Sequence, residues 1–190
     1  MSYPAWFVAV IVAVCSLFVK NSFSLVSATP FFTAQNEQRE EILEEAKILN
    51  HIGLAHKLLK EYPEALDLFQ QAVAMFEQIN QPLLAAGTLT HIGEIYEARR
   101  EWQKAKATFL QFQALVGQEN NGQLKAVSLN RIGAIEQKLG NYQGAIDFHQ
   151  QALTIFNSNK NWVGQGVAYN HLGTAYQALG RFDKKKKNFQ

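Results

Sequence analysis

The sequence predicts an all-α solenoid of stacked helix pairs, and three observations carry that expectation. The first is a gap-free repeat of 40 residues: LNHIGLAHKLLKEYPEALDLFQQAVAMF from Leu49, LTHIGEIYEARREWQKAKATFLQFQALV from Leu89, LNRIGAIEQKLGNYQGAIDFHQQALTIF from Leu129 and YNHLGTAYQALGRFDKKKKNFQ from Tyr169. Periods of about 20 to 50 residues are the mark of solenoids, in which one supersecondary unit buries its apolar face against the next. The second is the apolar spacing inside each row. Leu49, Ile52 and Leu59, then Ala65, Leu68, Phe69, Ala72 and Phe76, recur three and four residues apart, which makes two amphipathic helices per unit. The third is that small residues and helix breakers fall in fixed columns of the repeat.

Taken in chain order, the first element lies apart from the repeat. Ala5 to Val19 form an uncharged apolar run, of signal-peptide length and shorter than the ~20 residues of a spanning helix. The small-residue pattern Val26-Ser27-Ala28 fits signal-peptidase cleavage, leaving Thr29 first and the body exported to the periplasm or cell exterior. A second reading stands beside it. The leading Met1-Ser2-Tyr3-Pro4 carries no Lys or Arg and Lys20 lies on the far flank, which favours an uncleaved membrane anchor with a cytoplasmic body. Cys15 follows bulky Val14 and reads as an inert apolar-run residue, not a lipid site. Residues 1–28 are thus a signal peptide or membrane anchor, and 29–36 a linker.

The array occupies 37–190, as three full units (37–80, 81–120 and 121–160) and a partial fourth (161–190). Within units, turns are predicted at Lys60-Glu61, Arg100-Glu101, Gly140-Asn141 and Gly180-Arg181, with Gly twice in the position favoured at a helix C-terminus. Pro63 and Pro82 stand where helices begin, since Pro is tolerated in a first turn. The fourth unit stops inside its second helix. This leaves two expectations: self-association through the uncapped end, or continuation into an effector domain.

Gly53, Gly93, Gly133 and Gly173 lie inside the first helices, where each costs about 1 kcal/mol against Ala. A cost repeated four times implies a packing reason. With Ala65, Ala105 and Ala145 in the second helices, these columns are expected to let the two helices of a pair approach closely. Bulky columns surround the contact: Ile52, Ile92, Ile132 and Leu172; Tyr62, Trp102, Tyr142 and Phe182; Phe69, Phe109, His149 and Phe189.

On these residues, and on Ile92-Gly93, Tyr96, Ala105 and Phe109 in particular, the sequence resembles the tetratricopeptide repeat (TPR) family from about residue 37 to 190. The unit of 40 residues is similar to the longer, kinesin-light-chain-like repeats. Glu136 in place of an aromatic, Phe112 in place of a small residue and Lys185 in place of the packing Ala depart from the pattern. The resemblance implies a right-handed superhelix whose first helices line a concave groove, and a scaffold or adaptor that holds an extended peptide there. It also implies an alternative, the regulatory half of a larger enzyme such as a caspase-like peptidase.

The groove candidates are Asn50, Thr90, Asn130 and Asn170 with their neighbours His51, His91, Arg131 and His171, because Asn, Thr and His are poor helix-interior choices. Asn side chains offer both donors and an acceptor to a peptide unit. The family's carboxylate clamp is not matched, since Leu54 stands one turn after Asn50. The histidine column does not suggest a metal, because helix pairs sit about 10 Å apart whereas zinc holds its nitrogens at about 2.1 Å.

Composition narrows the remaining classes. The 190 residues are 47% hydrophobic and 18% charged with a formal charge of +2, which fits a folded body and not a nucleic-acid coater. One cysteine excludes an intramolecular disulfide framework. No Ser-His-Asp spacing, phosphate-cradling loop or HExxH motif points to catalysis or a cofactor. The basic run Lys184 to Lys187 reads as a solvated terminus.

Overall fold

The computed structural model describes residues 34–118 and 121–187, with side chains up to residue 117 and over 121–180. The apolar segment 1–28, most of the linker 29–36 and Phe189 lie outside the described residues. Every described element is helical: α1 over 34–58, α2 Tyr62–Gln78, α3 Pro82–Ala98, α4 Trp102–Gln118, α5 Gly122–Lys138, α6 Tyr142–Ser158 and α7 Trp162–Lys187. No described helix is long and apolar enough to cross a membrane. Glu45–Gln190 form one compact unit; the helical residues 34–44 belong to the segment before it.

Local sequence explains the boundaries. Helices α2 and α3 begin on Pro63 and Pro82 in their first turns. The side-chain oxygens of Asn121, Asn141 and Asn161 cap α5, α6 and α7 by accepting from the backbone N–H of Leu124, Gly144 and Gly164 at 3.1, 3.1 and 2.9 Å. Lys60, Arg100 and Gly140 close the first helices at φ of 64°, 59° and 82°. The left-handed turn is therefore kept by register even where the residue is not glycine. The fourth turn of that column is not made: α7 runs unbroken through Gly180 and Arg181. The residues beyond them, with Lys185 where Ala65, Ala105 and Ala145 stand, supply little apolar surface to draw a second helix back.

Each second helix lies between the first helix of its own unit and that of the next, giving the contacts α2 to α3, α3 to α4, α4 to α5, α5 to α6 and α6 to α7. The core is a chain of small clusters. Ala105 and Phe109 of α4 meet Ile132 and Ile135 of α5, and Ala145 and Ile146 of α6 meet Leu172 and Ala175 of α7. Ile52, grouped with Ile92, Ile132 and Leu172 by register, is 43% exposed. Among the described residues no second helix precedes it to take up its side chain.

The glycine column has its steric reason at three positions of four. A Cβ on Gly53 would stand 2.8 Å from the Phe69 ring, on Gly93 2.7 Å from Phe109, and on Gly133 2.7 Å from His149. The partner is an aromatic ring of the second helix, so the glycine and the ring are one device. The fully buried Ala65, Ala105 and Ala145 do the corresponding job on the second helix. Gly173 meets nothing within 4 Å. Its counterpart by register is Phe189.

Glu136 is 3% exposed in the aromatic position. Lys106 of α4 reaches one carboxylate oxygen at 2.5 Å, and the Asn141 amide donates to the other at 2.8 Å. A buried charge is tolerable there because it is paired and hydrogen-bonded.

Candidate functional site

The first helices present one continuous face, and interhelical polar bonds divide it. Lys57 of α1 donates to Glu94 of α3 at 2.5 Å. Arg131 of α5 grips Glu94 at 3.2 Å and Glu97 at 3.1 Å with its two terminal nitrogens. His91, with Lys57 and Arg131, holds the Glu94 carboxyl down at about 2 despite partial burial. Burial raises Glu97, against the opposing pull of Arg131. Further along, the Gln137 amide donates to the His171 carbonyl of α7 at 3.0 Å. These bonds link residues 34 or 37 apart, which is one 40-residue period less one or two helical steps, so they join adjacent first helices.

On either side of the ionic bridge the face opens into a cavity. One, of about 550 Å³, lies between α1 and α3 and is lined by Lys47, Asn50, His51, Leu83, Leu84 and His91 among others. The other, of about 430 Å³, lies between α5 and α7 and is lined by Val127, Asn130, Arg131, Val163, Val167 and His171 among others. Both have apolar walls left open to solvent. Leu83, Leu84, Val127, Val163 and Val167 are 44%, 38%, 39%, 80% and 44% exposed.

The sequence-predicted column is thus brought to the two cavities, but its members are not equivalent. Asn50 is partly buried, and its side-chain oxygen has no hydrogen-bond partner. Thr90 turns back to the Ala86 carbonyl at 3.3 Å. Asn130, only 7% exposed, is committed to His149, its oxygen 2.6 Å from the ring Nδ1. Asn170 is exposed, as is His51. Arg131 is spent on Glu94 and Glu97, and His171 stacks on His149. Lys57, Glu94, Glu97 and the apolar cavity walls were not among the sequence candidates. The 34- and 37-residue spacing of opposite charges would have found the first three. Val127 and Val167 stand three residues before Asn130 and Asn170, so a reading one turn back along the same helix face would have found them. Among the described residues no three His, Cys, Asp or Glu side chains gather as a metal site would require.

A solenoid of helix pairs with a polar first-helix face is the architecture of a tetratricopeptide array. The tetratricopeptide repeat family model matches residues 44–115 and 124–184, and the chain belongs to that family. A sequence search among characterised proteins finds no match. Similar solved structures include the apo form of RapI, with a TM-score of 0.70 and 18% identity over 86% of this chain and 46% of that one. Aspartyl phosphate phosphatase F from Bacillus subtilis is similar at a TM-score of 0.66 and 17% identity, over 76% of this chain and 38% of that one. Kinesin light chain nearly identical TPR-like repeats from Podospora anserina give a TM-score of 0.59 and 17% identity, over 75% and 70% of the two chains. At these identities the likeness is one of fold. This chain spans less than half the length of the first two.

Proposed function

We propose that this chain is a protein-interaction scaffold that holds an extended peptide segment along the first-helix face, with no chemistry of its own. The observation that carries the reading is the pair of open cavities on that face, each with apolar walls and polar groups at its edge. In the first, Asn50 lines the cavity with its side-chain oxygen buried and without a hydrogen-bond partner, an acceptor that a small side-chain rotation would offer to a peptide N–H. The cavities lie two units apart, about 20 Å at a pair spacing of about 10 Å. An extended segment rises about 3.3 Å per residue. The ligand therefore places two apolar side chains about six residues apart, with a polar stretch over the ionic bridge between them.

Selection from a random 12-residue peptide library against the full chain tests this. Recovered peptides are expected to share two apolar positions at that separation. They should lose at least tenfold in affinity for Val127→Glu and for Leu84→Glu, each of which charges an exposed wall without touching the core. Peptides whose affinity ignores both substitutions would move the binding face elsewhere.

A further inference from the structure

The third unit differs from the first two where its second helix meets α5. His149 occupies the column of Phe69 and Phe109 and is 0% exposed. Asn130 offers its oxygen to Nδ1 at 2.6 Å, so that nitrogen carries the ring hydrogen and Nε2 is left as the acceptor. The Gln137 amide nitrogen stands 3.3 Å from Nε2 and also donates to the His171 carbonyl. The neutral ring is thereby satisfied at both nitrogens. On its α7 side the His171 ring stacks on it, with centroids 5.0 Å apart and planes inclined by 5°.

A proton on this pair would have nowhere good to go. Added at Nε2, it would point at an N–H donor. The charged group of α5 that acts on His171 is Arg131, itself a cation, held by Glu94 and Glu97 of α3. Glu136 of α5 is engaged with Lys106 and Asn141. Among the described residues no carboxylate forms an ion pair or hydrogen bond with either ring, and Thr174 and Gln137 are the polar neighbours from α7 and α5. Besides this stack and the Gln137 bonds, α7 packs Leu172 and Ala175 on Ala145 and Ile146, and Ala168 on Ala126, Leu129, Ala152 and Phe156, with the Gln165 amide donating to the Phe156 carbonyl and the Gln150 amide to the Tyr176 hydroxyl.

We propose that the His149–His171 stack makes the packing of α5, α6 and α7 acid-sensitive, so that mild acid opens these three helices around His149 while α2 to α4 stay packed. Burial, and next the neighbouring His171, hold His149 down at about 4. Burial and then the Arg131 charge lower His171. Both rings are thus held below the ~6.5 of a free imidazole. Above that pH neither the packed nor the open state binds a proton there. As pH falls below about 6.5 the open state takes up protons that the packed state refuses, and packing weakens progressively down to about pH 4. Glu94 keeps its charge throughout this range, so its bond to Lys57 persists.

Hydrogen exchange of the full chain at pH 7.5 and pH 5, corrected for intrinsic rates, tests the proposal. Opening of residues 122–180 is expected to rise by up to about 30-fold, the ratio set by values of 6.5 and 4, with α2 to α4 unchanged. The variant His149→Phe with Asn130→Thr rebuilds the pair that the second unit carries as Phe109 and Thr90, and it should abolish the rise. Unchanged exchange in α5 to α7, a rise of equal size in that variant, or one shared equally by α2 to α4 would overturn the latch. A proton-resonance titration of wild-type His149 gives an independent reading. A midpoint below 5 supports the latch, and one between 6 and 6.5 contradicts it.

Discussion

The second helices and the first helices of this array share a 40-residue register, yet they are specified in different ways. In α2, α4 and α6 the same few side chains do the same work in each unit: Ala65, Ala105 and Ala145 are wholly buried, and Phe69, Phe109 and His149 each cover a glycine of the partner helix. Along α1, α3, α5 and α7 no two contacts between neighbours are alike. Lys57 meets Glu94, Arg131 meets Glu94 and Glu97, and Gln137 meets the His171 backbone. The pair geometry is thus carried by repeated columns, and the identity of the exposed face by departures from them. Evolution can rewrite the second set without disturbing the first.

The largest expected effect comes from Glu136, where a departure places a carboxylate in the buried layer. Lys106→Met should cost about 3 kcal/mol in a denaturant titration, because it leaves the buried Glu136 carboxylate without its cation. Adding Glu136→Tyr, the residue that Tyr96 supplies in the second unit, should recover most of the loss. Failure to recover would mean that the pair does more than satisfy itself.

Next in size is the glycine column, where one substitution should change sign along the array. Gly93→Ala should destabilise by about 1 to 3 kcal/mol, since its methyl group would press on Phe109 at 2.7 Å. Gly173→Ala, facing open space, should stabilise by up to about 1 kcal/mol through helix propensity. Thermal unfolding of the two variants checks both signs. Like-signed changes would show that the ring contact is not what reserves the column for glycine.

The smallest effect concerns the turns. Lys60→Gly and Arg100→Gly should each stabilise by about 0.5 to 1 kcal/mol by relieving a side chain held at positive φ, and each would reproduce what Gly140 already provides. Calorimetry on the single variants resolves shifts of this size.

How much was legible before the structure follows the same division. The helix pairs, the turns at Lys60, Arg100 and Gly140, and the crowding at Gly53, Gly93 and Gly133 could be read because each recurs, and recurrence marks a steric demand. The uninterrupted α7 could not, since a glycine at 180 looks the same whether the chain turns there or not. The Asn column is visible in the sequence as a column, but nothing in a single row distinguishes its members. Whether an Asn side chain finds a partner depends on the residue 19 positions later: His149 binds Asn130, while Phe69 has nothing to offer Asn50. The ionic bridge escaped because it joins different residue types across spacings that no single row displays.

Ligands are expected on the first-helix face, and mapping a selected peptide on the isotope-labelled full chain by amide chemical shifts checks this placement. Shifts should concentrate around Gly87, Thr90, Val127, Val167 and Asn170, with the outward residues Ala107 and Gln111 of α4 unmoved. Shifts gathered instead around Ala107, Gln111 and Gln70, in the cleft between α2 and α4, would contradict it.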